Sequence, residues 1–252
     1  MQKPMRVFKQ GTVSDSNENA AYSIFARNKD KIKDIILVST SKEIKLSDVQ
    51  EISFVGGQTG TGSGAKPKTD IRIVHADGTY NISLKKRSFG AWESADSLAG
   101  DRVSEKILGY LMDNLNGSVP ASRPFDVIQY IDGGKAKYKI VRKGTDTVVK
   151  LAYKCNSSDA STVIFGSDIL GNGAVVSAEF PGACLVKNDF MKIKCSSIIT
   201  SMSEVPRSAY PYFSVKTSFY RKTRNAMRFP GLRVQAMPKS EIRGSVEFLP
   251  EL

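Results

Sequence analysis

The sequence predicts a mixed α/β protein, with a central mixed sheet flanked by helices in its first half and a β-rich second half. Three observations carry this. Residues 14–33 repeat apolar side chains at helical spacing, residues 70–86 alternate apolar and polar side chains around an Asp-Gly pair, and the chain beyond residue 124 is dominated by short strand-like runs. In the first helix Ser14, Asp15 and Ser16 offer N-caps, and Ala20, Ala21, Ile24 and Phe25 form the apolar stripe. Strands follow at 35–39 and 49–55. The segment 56–68, GGQTGTGSGAKPK, is glycine-rich and basic and reads as a mobile loop. Two strands come next, at 70–75 and 80–86, and residues 93–115 have the length and spacing of a second helix.

Gly117, Pro120 and Pro124 mark a boundary, so the expected domains are 1–118 and 119–252. In the second half, strands are expected at 138–142, 147–153, 162–165, 174–180 and 232–237. No internal repeat is evident.

Composition limits the chemistry. With 252 residues, 40% of them hydrophobic, the chain can bury one sizeable core or two small ones. No apolar run of about 18 residues occurs, and the basic N-terminus lacks the apolar segment of a secretory signal, so a cytoplasmic protein with no membrane partner is expected. Cys155, Cys184 and Cys195 are an odd set without metal-ligand spacing, which argues against a disulfide framework or a zinc cluster. The 37 Lys and Arg against 25 Asp and Glu give a net charge of +12, which favours a polyanionic partner, nucleic acid first. His75 is the only histidine, so chemistry requiring two or more histidines is disfavoured and carboxylate and lysine remain. His75 itself falls on the apolar side of a strand, as a core or edge residue. The spacing of Gly60, Gly62 and Gly64 is not that of a phosphate-binding Walker loop.

The local structure around Asp77-Gly78 suggests a site. An Asp-Gly pair between alternating segments is a strong signal for a two-residue type I′ turn. Pairing outward from Ala76 and Thr79 sets His75 against Tyr80, Arg72 against Ser83 and Asp70 against Lys85. Ile71, Ile73, Tyr80, Ile82 and Leu84 then share an apolar face, and Asp70, Arg72, Ser83 and Lys85 share a wet one. A hard divalent cation would find oxygen ligands in Asp70 and the main-chain carbonyl near Leu84, with Lys85 placed to orient water or stabilise a phosphorane. The same geometry describes an ordinary cross-strand ion pair, worth at most about 1 kcal/mol. The hairpin alone leaves both open.

Asp70, followed by a turn and then Ser83-Leu84-Lys85, resembles the PD-(D/E)xK motif of restriction-endonuclease-like nucleases. In that superfamily an Asp and a (D/E)xK tripeptide lie on adjacent strands behind an N-terminal helix. The wider strings KTDIRI and NISLKK are similar to phage-encoded and restriction-type members. Asn17-Glu18 resembles the Asn-Glu pair that often adds a metal-binding carboxylate from that helix. The resemblance covers roughly the first half of the chain and rests on a short motif. It implies a restriction-endonuclease-like core, an Mg²⁺-dependent DNA endonuclease with Mn²⁺ as a substitute, and a site of Asp70, Ser83, Lys85 and Glu18, with Asp70, Glu18 and Leu84 around the metal. Ser83 departs from the family pattern, since a neutral hydroxyl stands where Asp or Glu is usual. Glu18 is the first choice to restore the missing charge, Glu51 the second, and Glu43 and Glu93 follow. A catalytically inactive DNA-binding module on the same fold is the alternative.

Contacts to double-stranded DNA are expected from Lys66, Lys68, Lys86 and Arg87 beside the site, and from Lys216, Arg221, Lys222, Arg224 and Arg228 in the second half. There the cations are interleaved with Tyr210, Tyr212, Phe213, Phe219 and Tyr220, divided between core packing and base stacking. A single site cuts one strand, so double-strand cleavage implies a homodimer.

Overall fold

A computed structural model describes residues 5–10, 13, 15–55, 67–86, 126–132, 135–141, 150–218, 231–242 and 246–249. The protein is mixed α/β and sheet-rich, with two α-helices among the described residues. In chain order the elements are β1 (Arg6–Lys9), α1 (Ser16–Asn28), β2 (Asp34–Val38), β3 (Glu43–Leu46), β4 (Glu51–Phe54), β5 (Ile71–His75), β6 (Gly78–Lys85), β7 (Asp126–Asp132) and β8 (Lys135–Val141). They continue with β9 (Lys150–Lys154), α2 (Ser157–Phe165), β10 (Gly173–Ser177), β11 (Cys184–Lys187), β12 (Phe190–Lys194), β13 (Ser197–Ile199), β14 (Tyr212–Ser218), β15 (Gly231–Met237) and β16 (Val246–Leu249).

The chain forms two compact units, and neither is continuous in sequence. The first comprises Met1–Gly90 and Ile164–Pro206, the second Ala91–Val163 and Arg207–Leu252. A single cut near residue 118 therefore does not describe the chain. The reason is the pairing of β10 with β6, because a parallel partner is recruited from far along the sequence and carries no local signature. The helix expected at 93–115 and the boundary at 116–124 lie outside the described residues.

In the first unit a six-stranded sheet runs β1-β4-β5-β6-β10-β13 and a four-stranded sheet runs β11-β12-β2-β3. Strands β4, β5 and β6 form an antiparallel meander, β1 joins β4 in parallel, and β10 joins β6 in parallel. One face of the large sheet contributes Ile52, Phe54, Ile71, Ile73, Ile82, Leu84, Ala174 and Val176 to the core, which also takes Ile35, Leu37, Leu46, Met191 and Ile193 from the smaller sheet. Helix α1 begins at Asp15, whose carboxylate accepts the N–H groups of Asn17 and Glu18, and it buries Ala21 and Phe25. Phe25 meets Phe54 at 6.0 Å and Phe180 at 6.5 Å between ring centroids, while Tyr22 meets Phe54 edge-on at 5.4 Å. Burying one such phenyl ring contributes about 1.5–3 kcal/mol, so Phe25 anchors the helix. The helix ends at Asn28, earlier than the periodicity suggested.

The hairpin differs from expectation in register. A type I′ turn on Asp77-Gly78 requires positive φ at both residues, but Asp77 does not adopt it and Gly78 alone does, at 127°. The turn is a two-residue loop of Ala76-Asp77, and Gly78, the first residue of β6, takes the positive φ. His75 therefore pairs with Gly78, Arg72 with Asn81 and Ile71 with Ile82, a shift of two residues from the expected pairing. A two-residue shift preserves every side chain's face. It moves Asp70 from opposite Lys85 to beside Ser83.

The expectation of a solvated polar face also needs correction at Ser83, which is 0% exposed. Strand β6 is interior to the sheet, flanked by β5 and β10, and Val175 stands beside Ser83 at 2% exposed. His75 is largely buried, as expected, and its Nδ1 accepts the Asp77 N–H at 3.4 Å. Cys155 and Cys195 are buried free thiols and Cys184 is half-buried. Burial pushes Cys184 and Cys195 up to about 11, which keeps them protonated.

In the second unit β15-β14-β9-β16 form a sheet and β7 and β8 form an antiparallel hairpin. The strands expected at 138–142, 147–153 and 232–237 correspond to β8, β9 and β15. Residues 162–165 are helical, not extended, as the end of α2. Asn156 Oδ1 accepts the Asp159 N–H at 2.9 Å and Asn156 Nδ2 donates to Asp159 Oδ2 at 3.1 Å, a reciprocal cap that nucleates the helix. Ala160, Val163 and Ile164 are its buried stripe.

The β6–β10 junction generates a prediction. A Cβ on Gly173 would lie 1.8 Å from the Asn81 carbonyl oxygen, so the strands approach only because the residue is glycine. Gly173→Ala is expected to destabilise the protein by at least about 2 kcal/mol, measured by urea unfolding. A loss under about 0.5 kcal/mol would show that the junction relaxes freely.

Candidate functional site

The site forms where β5 begins and β6 ends. Asp70 immediately precedes β5, with its N–H donating to the Ile82 carbonyl at 2.9 Å and its carbonyl accepting the Val55 N–H at 2.9 Å. Because the β5 ladder stops at Ile71, the Leu84 N–H finds the Asp70 carboxylate in place of a main-chain partner, at 2.7 Å to Oδ2. The Ser83 hydroxyl donates to the same oxygen at 3.4 Å, and Lys85 Nζ lies 3.9 Å from it. Asp70, Ser83 and Lys85 are thus brought together. The tie between Asp70 and Lys85 is a diagonal one.

Glu18 reaches the site by a route that the motif does not announce. Asn17, buried on the inner face of α1, donates from Nδ2 to the Ala178 carbonyl at 2.9 Å and accepts the Phe180 N–H on Oδ1 at 2.7 Å. These two bonds tie the start of α1 to the chain leaving β10, whose last residue, Ser177, stands beside Lys85. Glu18 follows directly. Its carboxyl is pushed up to about 7, first by burial, then by the charges of Asp70 and Asp15, with Lys85 opposing. Asp70 is also raised by burial, against the lowering influence of Lys85, the Leu84 N–H, Lys68 and the Ser83 hydroxyl. Two partly dehydrated carboxyls therefore repel one another beside a lysine.

Asn17 is a positioning residue that the sequence reading missed, although a signal existed. Asn17, Ala21 and Phe25 recur every four residues, so a polar side chain stands on the buried stripe of the helix. A polar group there requires a partner.

The other expected residues fall in several places. Leu84 turns its side chain into the core, leaving its main chain at the site. Glu51 pairs with Arg6 and sits opposite Val74, at the far end of β5 from Asp70. It cannot complete the site. Glu43 lies on β3 of the smaller sheet, exposed and paired with Val38 in the ladder. Lys68, expected on a mobile loop, is 4% exposed, its main-chain N–H is bonded to Asp168, and its charge bears on Asp70. Burial removes it from the list of freely accessible DNA contacts. Lys86 is exposed and pairs with Glu179 at 3.2 Å. Lys216 has its main chain in β14 opposite Arg233. Tyr210 and Phe213 are buried and belong to packing, and Tyr212 stacks edge-on with Phe248 at 5.4 Å. Lys66, Arg87, Glu93, Phe219, Tyr220, Arg221, Lys222, Arg224 and Arg228 lie outside the described residues.

Among the described residues no group of three or more His, Cys, Asp or Glu side chains is placed to hold a metal ion. Two carboxylates and the Leu84 main chain are what the site offers. No helix among them is long and apolar enough to cross a membrane. Comparison with known proteins finds no matching family, curated protein or solved structure.

The raised Glu18 has a consequence for stability. Its folded value of about 7 exceeds the ordinary 4.5, so between these values the folded state binds more protons than the unfolded one, and stability falls as pH rises through that window. Asp70 acts in the same sense. In chelator-treated buffer, Glu18→Gln is expected to gain stability relative to wild type progressively from pH 4.5 to 7 and to hold the gain above it. Urea unfolding across pH checks this. A constant difference between the two proteins would show that the Glu18 carboxyl is neither dehydrated nor crowded by Asp70 in the folded state.

Proposed function

We propose that this chain is an Mg²⁺-dependent DNA endonuclease whose first unit has a restriction-endonuclease-like core. The observation that carries the proposal is the convergence of the Leu84 N–H, the Ser83 hydroxyl and Lys85 Nζ on one Asp70 carboxylate oxygen at the shared end of adjacent strands, with Glu18 supplied by the N-terminal helix. That arrangement is the one the motif implies. A mixed sheet with a helix against it supports the same reading.

The residues fit a divalent cation. Burial and mutual repulsion raise the pKa of Asp70 and Glu18 even with Lys85 and Lys68 nearby, so a divalent cation would compete with protons for two adjacent carboxyls, and Mg²⁺ is typically held by about one or two carboxylates while keeping several waters. Asp70 and Glu18 would hold it, together with the Leu84 carbonyl. In an antiparallel ladder a residue's N–H and C=O point to the same neighbouring strand, so the carbonyl faces the edge to which the Leu84 N–H already reaches. When bound, the cation supplies Lewis-acid activation of water and of the phosphodiester.

The chain's own groups do the rest. The Leu84 N–H and Ser83 hydroxyl fix the Asp70 carboxylate, leaving its Oδ1 for a ligand. Lys85 offers a cation on the same side, where charge builds up on the phosphoryl oxygens. Glu18, raised to about 7 in the absence of metal, would give up its proton as the cation binds, so metal uptake at this site would strengthen as pH rises towards 7. The basic segment of Arg221, Lys222, Arg224 and Arg228 supplies phosphate contacts to duplex DNA, and a homodimer would provide the second site for double-strand cleavage.

One observation favours a second reading. Ser83 is wholly buried and its hydroxyl is directed at Asp70, so the position that is usually acidic adds no ligand of its own. A DNA-binding module without catalysis follows if two carboxylates do not hold the ion.

Plasmid incubation with and without Mg²⁺ or Mn²⁺ decides between the readings. The enzyme is expected to cleave only with metal, and Asp70→Asn and Lys85→Ala to lower the rate by at least about a hundredfold with duplex binding retained. Wild-type binding without cleavage at any metal concentration selects the inactive module. Cleavage by both variants at the wild-type rate would move the active site elsewhere. Separately, replacing Arg221, Lys222, Arg224 and Arg228 with alanine is expected to weaken duplex binding and flatten its salt dependence, read by fluorescence anisotropy; an unchanged slope would make that segment scaffold.

A further inference from the structure

Lys68 and Thr69 precede the first paired residue of β5, so their main-chain N–H groups lack a strand partner and must be satisfied otherwise. One carboxylate satisfies both. Asp168 Oδ1 accepts the Lys68 N–H at 2.7 Å, and Oδ2 accepts the Thr69 N–H at 3.3 Å together with a short bond from the Thr69 hydroxyl. Three donors from two consecutive residues thus converge on Asp168. Hydrogen bonds to an ionised acceptor are about twice as strong as neutral ones, which makes this a firm grip.

The gripping residue is itself anchored. Asp168 lies in the turn between α2 and β10, which is closed by bonds from Ile169 N–H to Phe165 O at 3.3 Å and from Asn172 N–H to Ile169 O at 3.0 Å. Its carbonyl accepts Asn81 Nδ2 at 2.9 Å, and the Asn172 carbonyl accepts the Asn81 N–H at 2.8 Å. Asn81 stands on β6, two residues before Ser83. A closed circuit results: Asp168 holds Thr69, the next residue Asp70 bonds Ser83 and Leu84 of β6, and β6 returns through Asn81 to Asp168.

We propose that Asp168 is a positioning residue for Asp70, clamping the main chain of Lys68 and Thr69 so that the Asp70 carboxylate is presented to Leu84, Ser83 and Lys85. This rests on Asp70 being the metal-binding carboxylate of the proposed nuclease. A functional carboxylate must be held within about 0.5 Å of its working place, and the residue directly before Asp70 is the shortest lever on it. The Asp168 carboxylate touches only the entry to β5, and the bond to Asn81 on β6 is made by the Asp168 main chain, which side-chain substitution leaves in place. Loss of the clamp should therefore displace Asp70 and leave the hairpin intact.

The test uses the full chain with Thr69→Val, which removes only the hydroxyl bond, Asp168→Asn, which removes the charge, and Thr69→Ser, which keeps the hydroxyl. Amide hydrogen exchange at Leu84 reads the bond to Asp70. Titration with Mn²⁺ alone, followed by paramagnetic broadening around Asp70, reads metal affinity. Thr69→Val and Asp168→Asn are expected to speed Leu84 exchange by about tenfold or more while the remaining β4–β5 and β5–β6 amides stay within about twofold. The Mn²⁺ dissociation constant should rise by about 10- to 100-fold in both, and Thr69→Ser should match wild type. Leu84 protection at the wild-type level in Thr69→Val and Asp168→Asn overturns the proposal. So does faster exchange spread evenly along the hairpin, which marks a merely structural bond. If wild type takes up no Mn²⁺ near Asp70, the nuclease reading fails, while Leu84 exchange still decides whether Asp168 positions Asp70.

Discussion

The parallel pairing of β10 with β6 is the constraint on which most of the first unit depends. It converts β6 from the last strand of a local meander into an interior strand, and interior position is what buries Ser83 between Asp70 and Val175. The two strands approach so closely that Gly173 meets the Asn81 carbonyl where any side chain would collide. The same pairing sets the turn before β10 against Asn81 and delivers the main chain after β10 to Asn17. Both ends of the candidate site are thus supported by residues that lie about a hundred positions or more away in sequence, a separation that local propensity cannot encode.

Within that frame the site is an electrostatic compromise. Asp70 is dehydrated, which raises its pKa, and is answered by one main-chain donor, one hydroxyl and two lysine charges. Glu18 adds a second carboxyl that the first repels. A purely structural ion pair would be arranged to lower both carboxyls, as occurs at Glu204, where Lys42 and Thr200 hold the group down to about 2. The contrast within one unit shows that satisfied carboxylates are available to this fold and that the Asp70 end is built differently.

Much of the site was legible because hairpins are local. Asp70, Ser83 and Lys85 were placed on one side of two adjacent strands by alternation alone, and a register misjudged by two residues did not disturb this, since faces repeat with period two. What failed was the detail that period two cannot supply: which residue stands opposite Asp70. Helix α1 was legible through Asp15 and the Ala21 and Phe25 stripe, whereas α2 was mistaken for a strand because its short apolar end outweighed the Asn156 and Asp159 cap.

The sequence by itself determined the charge balance, the mixed class, the residues of the hairpin site and the helix that carries Glu18, because each is written within a few consecutive residues. Tertiary structure decided that Glu18, not Glu51, approaches Asp70, that Lys68 is buried, and that Asn17 and Asp168 hold the two flanks. These depend on which distant strand β6 selects as its parallel partner. That choice is made by burial summed over the whole sheet, and no window of the sequence contains it.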